Sequence, residues 1–306
     1  MTIEQPDDNS RRHFLKASSA LGLAITFSPG MIGEAFAAST DKSDATAIVP
    51  FTLKIPESAL IDLKRRLEAT RCPERETLID WSQGVPLARI QALVKYWRTK
   101  YDWRRCEAML NRFGQFKTQI DRLGFHFLHV RSRHVNALPL ILTHGWPGSV
   151  IEFHKVIGPL ADPTAHGGKA EDAFHVVVPS LPGYGFSDRP TTTGWDSVRI
   201  AAAWAQLMPR LGYKRYVAQG GDWGASVTTE LAHLHPPGLA GIHLNLPIVV
   251  PKVIPKELSK EEEAALGALD NFGKEGFGYA KQQATRPQTL GYGLTDSPAG
   301  AGRVDL

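Results

Sequence analysis

The stretch Gly220-Gly221-Asp222-Trp223-Gly224-Ala225-Ser226 decides the fold that the sequence predicts. A short run with β character, 213–219, precedes it, and a helical run, 226–235, follows it. A strand, a tight turn bounded by glycines and a helix is the geometry of a nucleophile elbow, which needs small residues two before and two after its tip. Gly220 and Gly224 fill those positions, so Asp222 lies at the tip.

Asp222 is therefore the candidate nucleophile of this turn. A carboxylate is ionised at neutral pH, so it needs no neighbouring base to activate it. It can attack an sp³ carbon and remain joined to the product as an ester. The alternative is a glycine-rich turn in which Asp222 only caps the following helix. The positions of the other motifs favour the nucleophile.

Strands and helices alternate on both sides of this turn. Strands are predicted at 116–120, 125–130, 138–143, 174–178, 213–219 and 242–246, and helices at about 150–160, 198–211 and 226–235. This alternation predicts an α/β fold with a mostly parallel sheet, in which ligands bind beyond the carboxyl ends of the strands. His144-Gly145-Trp146-Pro147, Pro182-Gly183-Tyr184-Gly185 and Asp222 all follow predicted strands. We expect these three segments to meet at one end of the sheet.

Helical segments flank the predicted sheet. Ahead of it, leucine and aromatic spacing predicts an N-terminal helical arm with helices at about 56–73, 87–101 and 103–113. After it, Ser259 and Glu262 form a capping box that opens a helix through about Leu269. Glycines are frequent in this later segment, and its aromatic residues are Phe272, Phe277, Tyr279 and Tyr292. Such a composition predicts a mobile aromatic lid over an apolar ligand.

Composition bounds the possible partners and cofactors. The 306 residues are 42% hydrophobic and 22% charged, as expected for globular domains with a core. The net charge of +4 comes from scattered basic residues, so nucleic acid is not an expected partner. Neither a phosphate-binding glycine loop nor a cluster of metal ligands is evident, and we expect no cofactor and no metal. Cys72 and Cys106 lack metal-ligand spacing and are read as small apolar residues, with a disulfide left open if the protein is exported.

The N-terminus predicts export. Arg11 and Arg12 precede Phe-Leu-Lys and an apolar run at 17–27, and Ala35-Phe36-Ala37 offers a cleavage site. These features resemble a twin-arginine signal, which carries folded proteins across a bacterial inner membrane by the twin-arginine machinery. We therefore expect a periplasmic or secreted protein, or a cytoplasmic one if the tail is disordered and its arginines are fortuitous. The apolar run is too short to span a bilayer stably.

The His144-Gly145-Trp146-Pro147 turn is predicted to supply a hydrogen-bond donor to the site. A turn at a strand end can aim the Trp146 backbone N–H at a developing oxyanion, and the N–H of Trp223, next after the nucleophile, supplies a second donor. Such donors stabilise the intermediate formed when water attacks an ester. His144 is read as a residue that orients the neighbouring backbone through a hydrogen bond rather than as a base.

These motifs resemble those of the microsomal-type epoxide hydrolases of the α/β-hydrolase superfamily. The resemblance runs from about residue 50 to about residue 300. It rests on the arm with Arg71-Cys72-Pro73 at its helix end and on four motifs in order: His144 to Ser149, Pro182 to Ser187, Gly221 to Ala225, and Gly278 to Pro298. It implies an N-terminal helical domain at 50–115, an α/β-hydrolase core at 116–246 and a partial lid at 247–306. The predicted signal at 1–37 and a linker at 38–49 precede these parts.

The resemblance also implies roles for individual residues. Asp222 would open an epoxide ring through a covalent ester that water then hydrolyses to a vicinal diol. Tyr279 falls where the family carries a lid tyrosine that donates a proton to the epoxide oxygen. The substrate would be a small apolar epoxide; we make no prediction of the oligomeric state. The expected pocket residues are His144, Gly145, Trp146, Pro147, Tyr184 and Trp223.

The sequence departs from the family pattern after the lid. The histidines that follow the nucleophile are His233, His235 and His243, and none is placed like a triad histidine. No counterpart of the triad acid, of its histidine or of the last strands is found before residue 306. We therefore expect a C-terminally truncated chain with an exposed apolar sheet edge and slow hydrolysis of the ester.

Two other functions remain open at this point. A haloalkane or haloacetate dehalogenase also uses a carboxylate at the elbow, and halide release would distinguish it. A non-catalytic, truncated remnant that binds apolar ligands or is unstable is the other alternative. A serine hydrolase is disfavoured because Ser226 lies past the tip of the elbow.

Overall fold

A computed structural model describes residues 46–247 and 257–301 of the chain. The twin-arginine motif and the cleavage site at 35–37 lie outside these residues, as does the segment after residue 301. Across the two described ranges, none of the helices has the length and apolar character that a bilayer span requires. Within the same ranges Cys72 and Cys106 are free thiols, the first exposed and the second half-buried.

A seven-stranded sheet organises the described residues. Its strands are β1 (Val49–Pro50), β2 (Gln115–Ile120), β3 (Leu123–Val130), β4 (Leu138–Thr143), β5 (Phe174–Pro179), β6 (Tyr216–Gly220) and β7 (Leu239–Leu244). Their spatial order is β1-β2-β3-β5-β4-β6-β7. The four strands from β5 to β7 are parallel to one another, and β1 to β3 join them with antiparallel pairings. The α/β fold is confirmed, with a mixed sheet that is parallel where the elbow lies.

The antiparallel part of the sheet is a hairpin with a two-residue turn. Ile120 pairs with Leu123, which leaves Asp121 and Arg122 as the turn. Both have positive φ, 50° and 62°. Positive φ at both central positions matches the twist of the flanking strands. The strands predicted at 116–120 and 125–130 are therefore present as a hairpin, and its turn has two residues instead of the four left between the predicted strands.

Helices flank the sheet, and the three helices of the N-terminal arm lie close to where the apolar spacing predicts them. They are α1 (Glu57–Glu68), α2 (Leu87–Thr99), α3 (Trp103–Leu110), α4 (Ile157–Ala161), α5 (Ser197–Arg210), α6 (Trp223–Leu234), α7 (Lys260–Asn271), α8 (Gly278–Thr285), α9 (Pro287–Asp296) and α10 (Pro298–Ala301). The prediction of one helix over 150–160 was wrong. That segment forms a 3₁₀ turn, Val150–Phe153, and then the short α4. Pro159 lies in the first turn of α4, where a missing amide proton is tolerated. In the interior of one helix over 150–160 its ring would clash with the carbonyl four residues earlier, which favours a new helix start here.

The core lies on both faces of the sheet. One layer packs Phe125, Phe127 and Val177 of the strands against Trp204 and Met208 of α5. On the opposite face, the strand residues Leu140, Leu142, Val176 and Val178 pack with Ile157 of α4. Alternate residues of β5 thus enter opposite layers, because successive side chains of a strand point to opposite faces.

The strand β7 lies at one end of the sheet order and is open to solvent. Its burial pattern contains exposed residues at four successive positions. Ile242 is 40% exposed and Leu246, just beyond the strand, is 49% exposed. These two side chains leave apolar surface exposed at this end of the described sheet.

A buried histidine links β3 to the loop after β5 and to β2. The ring of His126 is fully buried, with Nδ1 2.9 Å from Ser180 Oγ and Nε2 2.9 Å from Gln115 Oε1. Loss of hydration on burial, aided by the charge of Lys117, lowers the pKa of His126 to about 3. The folded chain therefore holds this ring neutral at pH values where the unfolded chain protonates it.

We expect the stability of the fold to fall between pH 7 and pH 5. The unfolded histidine takes up a proton as the pH drops below about 6.5, while the folded one does not until about pH 3, so stability is lost across that window. At pH 5 His126 alone accounts for about 2 kcal/mol. Urea unfolding at both pH values measures the change. The His126→Asn variant should show a shallower pH dependence, and an identical dependence in both chains would contradict the assignment.

Candidate active site

Asp222 lies in a backbone conformation that few residues adopt. It connects β6 to α6 with φ 53° and ψ −126°. Such a conformation persists only where the surroundings enforce it, and it is concentrated at functional sites. Gly220 and Gly224 make it sterically possible, because a Cβ on Gly220 would lie 1.9 Å from Gly224 O and one on Gly224 would lie 2.0 Å from Thr143 O. The predicted elbow is present, and the Asp222 residue is exposed.

The loop after β4 supplies a hydrogen bond to the Asp222 carboxylate. The backbone N–H of Trp146 donates to Asp222 Oδ1 at 2.8 Å. Parallel pairing of Thr143 with Gly220 brings the two strand ends side by side, which is why residues 76 positions apart meet. Gly145 permits the approach, since a Cβ there would lie 2.4 Å from Asp222 Oδ1. The sequence predicted that the 144–147 loop and Asp222 lie at the same end of the sheet, and the structure shows them in hydrogen-bond contact.

Trp223 is the first residue of α6. The first amides of a helix have no partner within the helix, so its N–H is a free donor for a group at the elbow. Its indole is 58% exposed. The Trp146 amide thus contacts Asp222 directly and Trp223 follows Asp222 in the chain, while the oxyanion-hole role of the two amides stays a prediction.

His144 connects two loops of the site. Its ring is buried, and the backbone N–H of Leu181 donates to its Nε2 at 3.1 Å. The proton therefore sits on Nδ1, which lies 3.0 Å from the carbonyl oxygen of Gly145 and donates to it. Burial lowers the pKa of His144. A neutral ring with both nitrogens engaged orients the 144–147 loop and is not free to accept a proton.

Tyr184 forms one wall beside the nucleophile. Its ring packs edge-on against His144, with centroids 5.4 Å apart. Burial raises the pKa of the Tyr184 hydroxyl, and the negative charge of Asp222 raises it further. The phenol therefore stays protonated and remains a hydrogen-bond donor near the carboxylate.

The lid reaches the site through stacked aromatic rings. Tyr279, near the start of α8, stacks on Trp146 with centroids 5.1 Å apart and planes 10° from parallel. Phe277 lies next to Tyr279, at 6.4 Å, and Phe272 lies 5.8 Å from Phe277. The rings of Phe272, Phe277 and Tyr279 are each more than 40% exposed. They form an open aromatic surface that begins at Trp146 in the 144–147 loop.

The histidines that follow the nucleophile engage other partners. His233 lies 3.5 Å from Glu230 on the same helix, and the Nδ1 of His235 lies 2.9 Å from the carbonyl oxygen of His233. His243 is exposed on β7, paired with Gln219. Within 46–247 and 257–301, none of these three rings hydrogen-bonds Asp222.

Glu152 is a site residue that the sequence analysis did not single out. It lies in the 3₁₀ turn that follows the 144–149 loop. Burial of its carboxyl group raises its pKa, and the charge of Asp222 raises it further. The signal in the sequence was the spacing of Ser149 and Glu152, which is that of a capping box.

Metal binding has no visible basis in the described part of the chain. Three or more His, Cys, Asp or Glu side chains do not converge anywhere in residues 46–247 and 257–301.

Two family models match this chain. Residues 48–153 match the model described as epoxide hydrolase N terminus, and residues 139–286 match the model of the alpha/beta hydrolase fold. Together they cover the helical arm, the sheet and most of the lid.

Curated relatives and solved structures agree with these models. A Stigmatella aurantiaca protein named "Putative epoxide hydrolase" is 67% identical over 83% of this chain, and epoxide hydrolase 1 of Sus scrofa is 36% identical over 86%. The chain spans 58% and 62% of the length of these two relatives. The structure of Aspergillus niger epoxide hydrolase superposes with a TM-score of 0.74 at 33% identity, over 84% of this chain and 68% of that one. The structure of juvenile hormone epoxide hydrolase from Bombyx mori superposes with a TM-score of 0.75 at 34% identity, over 84% of this chain and 64% of that one.

Proposed function

Because this chain belongs to the epoxide hydrolases of the α/β-hydrolase superfamily, we propose that it opens a small apolar epoxide by nucleophilic attack of Asp222. The observation that carries the proposal is the exposed Asp222 carboxylate at the tip of the elbow, hydrogen-bonded by the Trp146 amide at 2.8 Å. The hydrogen bond to one oxygen fixes the carboxylate and leaves its other oxygen to attack. The product of full turnover is a vicinal diol.

Ring opening is the first step. An oxygen of Asp222 bonds to an epoxide carbon as that carbon's bond to the ring oxygen breaks, which leaves an ester and an alkoxide. An alkoxide is a poor leaving group, so a proton donor lowers the barrier. We assign this role to the phenol of Tyr279, which stacks against Trp146 beside the nucleophile.

Ester hydrolysis is the second step. Water adds to the Cγ of Asp222, and the negative charge falls on an oxygen held by the amides of Trp146 and Trp223. The described residues place no histidine in hydrogen-bond contact with Asp222. We therefore expect the ester of this 306-residue chain to be long-lived compared with its rate of formation.

Incubation with styrene oxide tests the proposed function. Intact-mass measurement should reveal one added styrene oxide mass per chain, and peptide mapping should locate it on Asp222. Styrene oxide carries a phenyl group suited to the aromatic surface formed by Phe272, Phe277 and Tyr279. Sustained diol production with no adduct at any time would contradict the covalent route, and so would an adduct located elsewhere.

The Tyr279→Phe variant should form the ester more slowly. Phe preserves the ring that stacks on Trp146 but removes the proton donor, so we expect the rate of adduct formation to fall by about 10²-fold. Time-resolved intact mass measures that rate. Tyr292→Phe removes a phenol from a lid position that is 71% exposed and serves as the matched control. Equal rates in the Tyr279 variant and in the unchanged chain would refute the assignment.

We propose further that Arg11 and Arg12 direct export by the twin-arginine machinery to the periplasm or beyond. The paired arginines, the apolar run at 17–27 and the Ala35-Phe36-Ala37 site support this proposal. Expression of the full chain in a bacterium that has this pathway, followed by fractionation, measures the exported share. The double variant Arg11→Lys, Arg12→Lys should remain in the cytoplasm, and an unchanged distribution would argue against the signal.

A further inference from the structure

Arg66 joins the helical arm to the lid helices α8, α9 and α10. It lies on α1, and its Nη1 donates to two backbone carbonyl oxygens at the end of α9, that of Asp296 at 3.0 Å and that of Thr295 at 3.3 Å. These contacts connect positions 230 and 229 residues apart in the chain. The arm therefore holds a lid helix by its C-terminus.

The C-terminus of α9 is a favourable place for a cation. The last four carbonyl groups of a helix lack partners within the helix, and they carry the negative end of its dipole. The helix ends at Asp296, and the following residue, Ser297, donates its N–H to the carbonyl oxygen of Gly293. The carbonyl groups of Thr295 and Asp296 are left for a donor from elsewhere, and Arg66 supplies it with a positive charge.

Asp62 orients the Arg66 side chain toward the lid. Arg66 Nε lies 3.0 Å from Asp62 Oδ2, one turn earlier on α1. Arg65 Nη2 lies 2.7 Å from the other oxygen of the same carboxylate. The side chain of Arg65 is 71% exposed, and its guanidinium group contacts no lid residue within 46–247 and 257–301. Two adjacent arginines thus share one carboxylate, but only Arg66 reaches the lid.

The lid is held at a second place, beside the nucleophile. Tyr279 of α8 stacks on Trp146 of the 144–147 loop. At the other end of the lid, α10 lies next to α1, and its Ala299 is buried. The helices α8 and α9 are separated by one residue, Arg286, so a displacement of α9 is passed on to α8.

We propose that Arg66 anchors the lid to the arm and thereby positions Tyr279 against Trp146. Arg66 is a positioning residue, since it acts through the lid and does not touch the reacting atoms. The anchoring itself is independent of the chemistry, whereas its effect on ester formation rests on the proposed function. A contact of a partly exposed side chain adds little to global stability, so its loss should be felt in the lid and not in the sheet.

Hydrogen exchange of the full chain tests the anchor. In the Arg66→Gln variant, which loses the charge and the reach of the guanidinium, amides of 287–301 should exchange at least about five-fold faster, and those of β4 at an unchanged rate. Arg66→Lys keeps the charge and should restore part of the protection. Arg65→Gln makes the same change at the neighbour that does not reach the lid and should exchange like the unchanged chain. Equal lid exchange in the two Gln variants would overturn the anchor.

Adduct formation with styrene oxide tests the positioning of Tyr279. Arg66→Gln should slow adduct formation about five-fold in the unchanged chain, but by less than about two-fold in the Tyr279→Phe background, where no phenol remains to be positioned. Arg65→Gln should leave the rate unchanged in both backgrounds. Equal slowing by Arg66→Gln in both backgrounds would contradict the positioning role, because a general loss of structure acts on both. Absence of any adduct in the unchanged chain would contradict the proposed function, while hydrogen exchange would still decide the anchor.

Discussion

Asp222→Asn is expected to abolish the covalent adduct with styrene oxide while leaving the fold unchanged. The amide has the shape of the carboxylate and keeps an acceptor for the Trp146 N–H, but its oxygen is neutral and a far weaker nucleophile. Asn also tolerates positive φ better than most residues, which matters at φ 53°. The rate of adduct formation should fall by at least about 10⁴-fold, the scale on which loss of a nucleophile acts.

Intact mass and thermal unfolding together test this result. The mass of the variant should stay unchanged through a period in which the parent chain is fully modified, and the two melting temperatures should agree. Ser226→Ala is the matched control, because Ser226 lies past the tip of the elbow and is engaged with Ser197 at 2.9 Å. It should react at the parent rate. Adduct formation by the Asp222 variant at the parent rate, or loss of the adduct in the Ser226 variant, would reject Asp222 as the nucleophile.

Gly224→Ala is expected to cause a large loss of stability at the elbow. The new Cβ would lie 2.0 Å from the carbonyl oxygen of Thr143 and 2.9 Å from that of His144. These are backbone atoms at the end of the central strand β4, so relief requires the helix α6 to move away from the sheet. Overpacking of this kind costs about 3 kcal/mol.

Urea unfolding measures that cost against a neighbouring glycine. A Cβ on Gly221 would lie 3.5 Å from the Asn245 Cβ, an ordinary contact, so Gly221→Ala should change the unfolding free energy by less than about 1 kcal/mol. Displacement of the Thr143–His144 backbone should also slow adduct formation in the Gly224 variant, because the Trp146 amide follows directly. If Gly224→Ala and Gly221→Ala unfolded at similar urea concentrations, the elbow would not be closely packed against β4.

Local features of the chain were predictable because each depends on neighbouring residues. The glycines at 220 and 224 predicted a sharp turn after a strand, and the structure has that turn at Asp222. The capping box of Ser259 and Glu262 began a helix at Lys260 as expected. The prediction of one helix over 150–160 was wrong because it followed the apolar periodicity and did not take Pro159 into account.

Charge and proximity were less predictable. Glu152 could not be assigned to the site from sequence, since its pKa depends on burial and on the charge of a residue 70 positions away. The stacking of Tyr279 on Trp146 likewise joins a lid helix to a strand-end loop. Neither contact is encoded in a local pattern, although the resemblance to a family anticipated Tyr279.

By itself, the sequence determined which backbone conformations are possible: glycines two before and two after Asp222, a carboxylate at the tip of the elbow and strands apolar on both faces. The tertiary structure alone decided which groups meet, namely the Trp146 amide with Asp222, Glu152 with the space beside Gly148, and Tyr279 with Trp146. The physical reason is that backbone sterics act between adjacent residues, whereas hydrogen bonding, desolvation and ring packing act between any groups that parallel strand ends bring together.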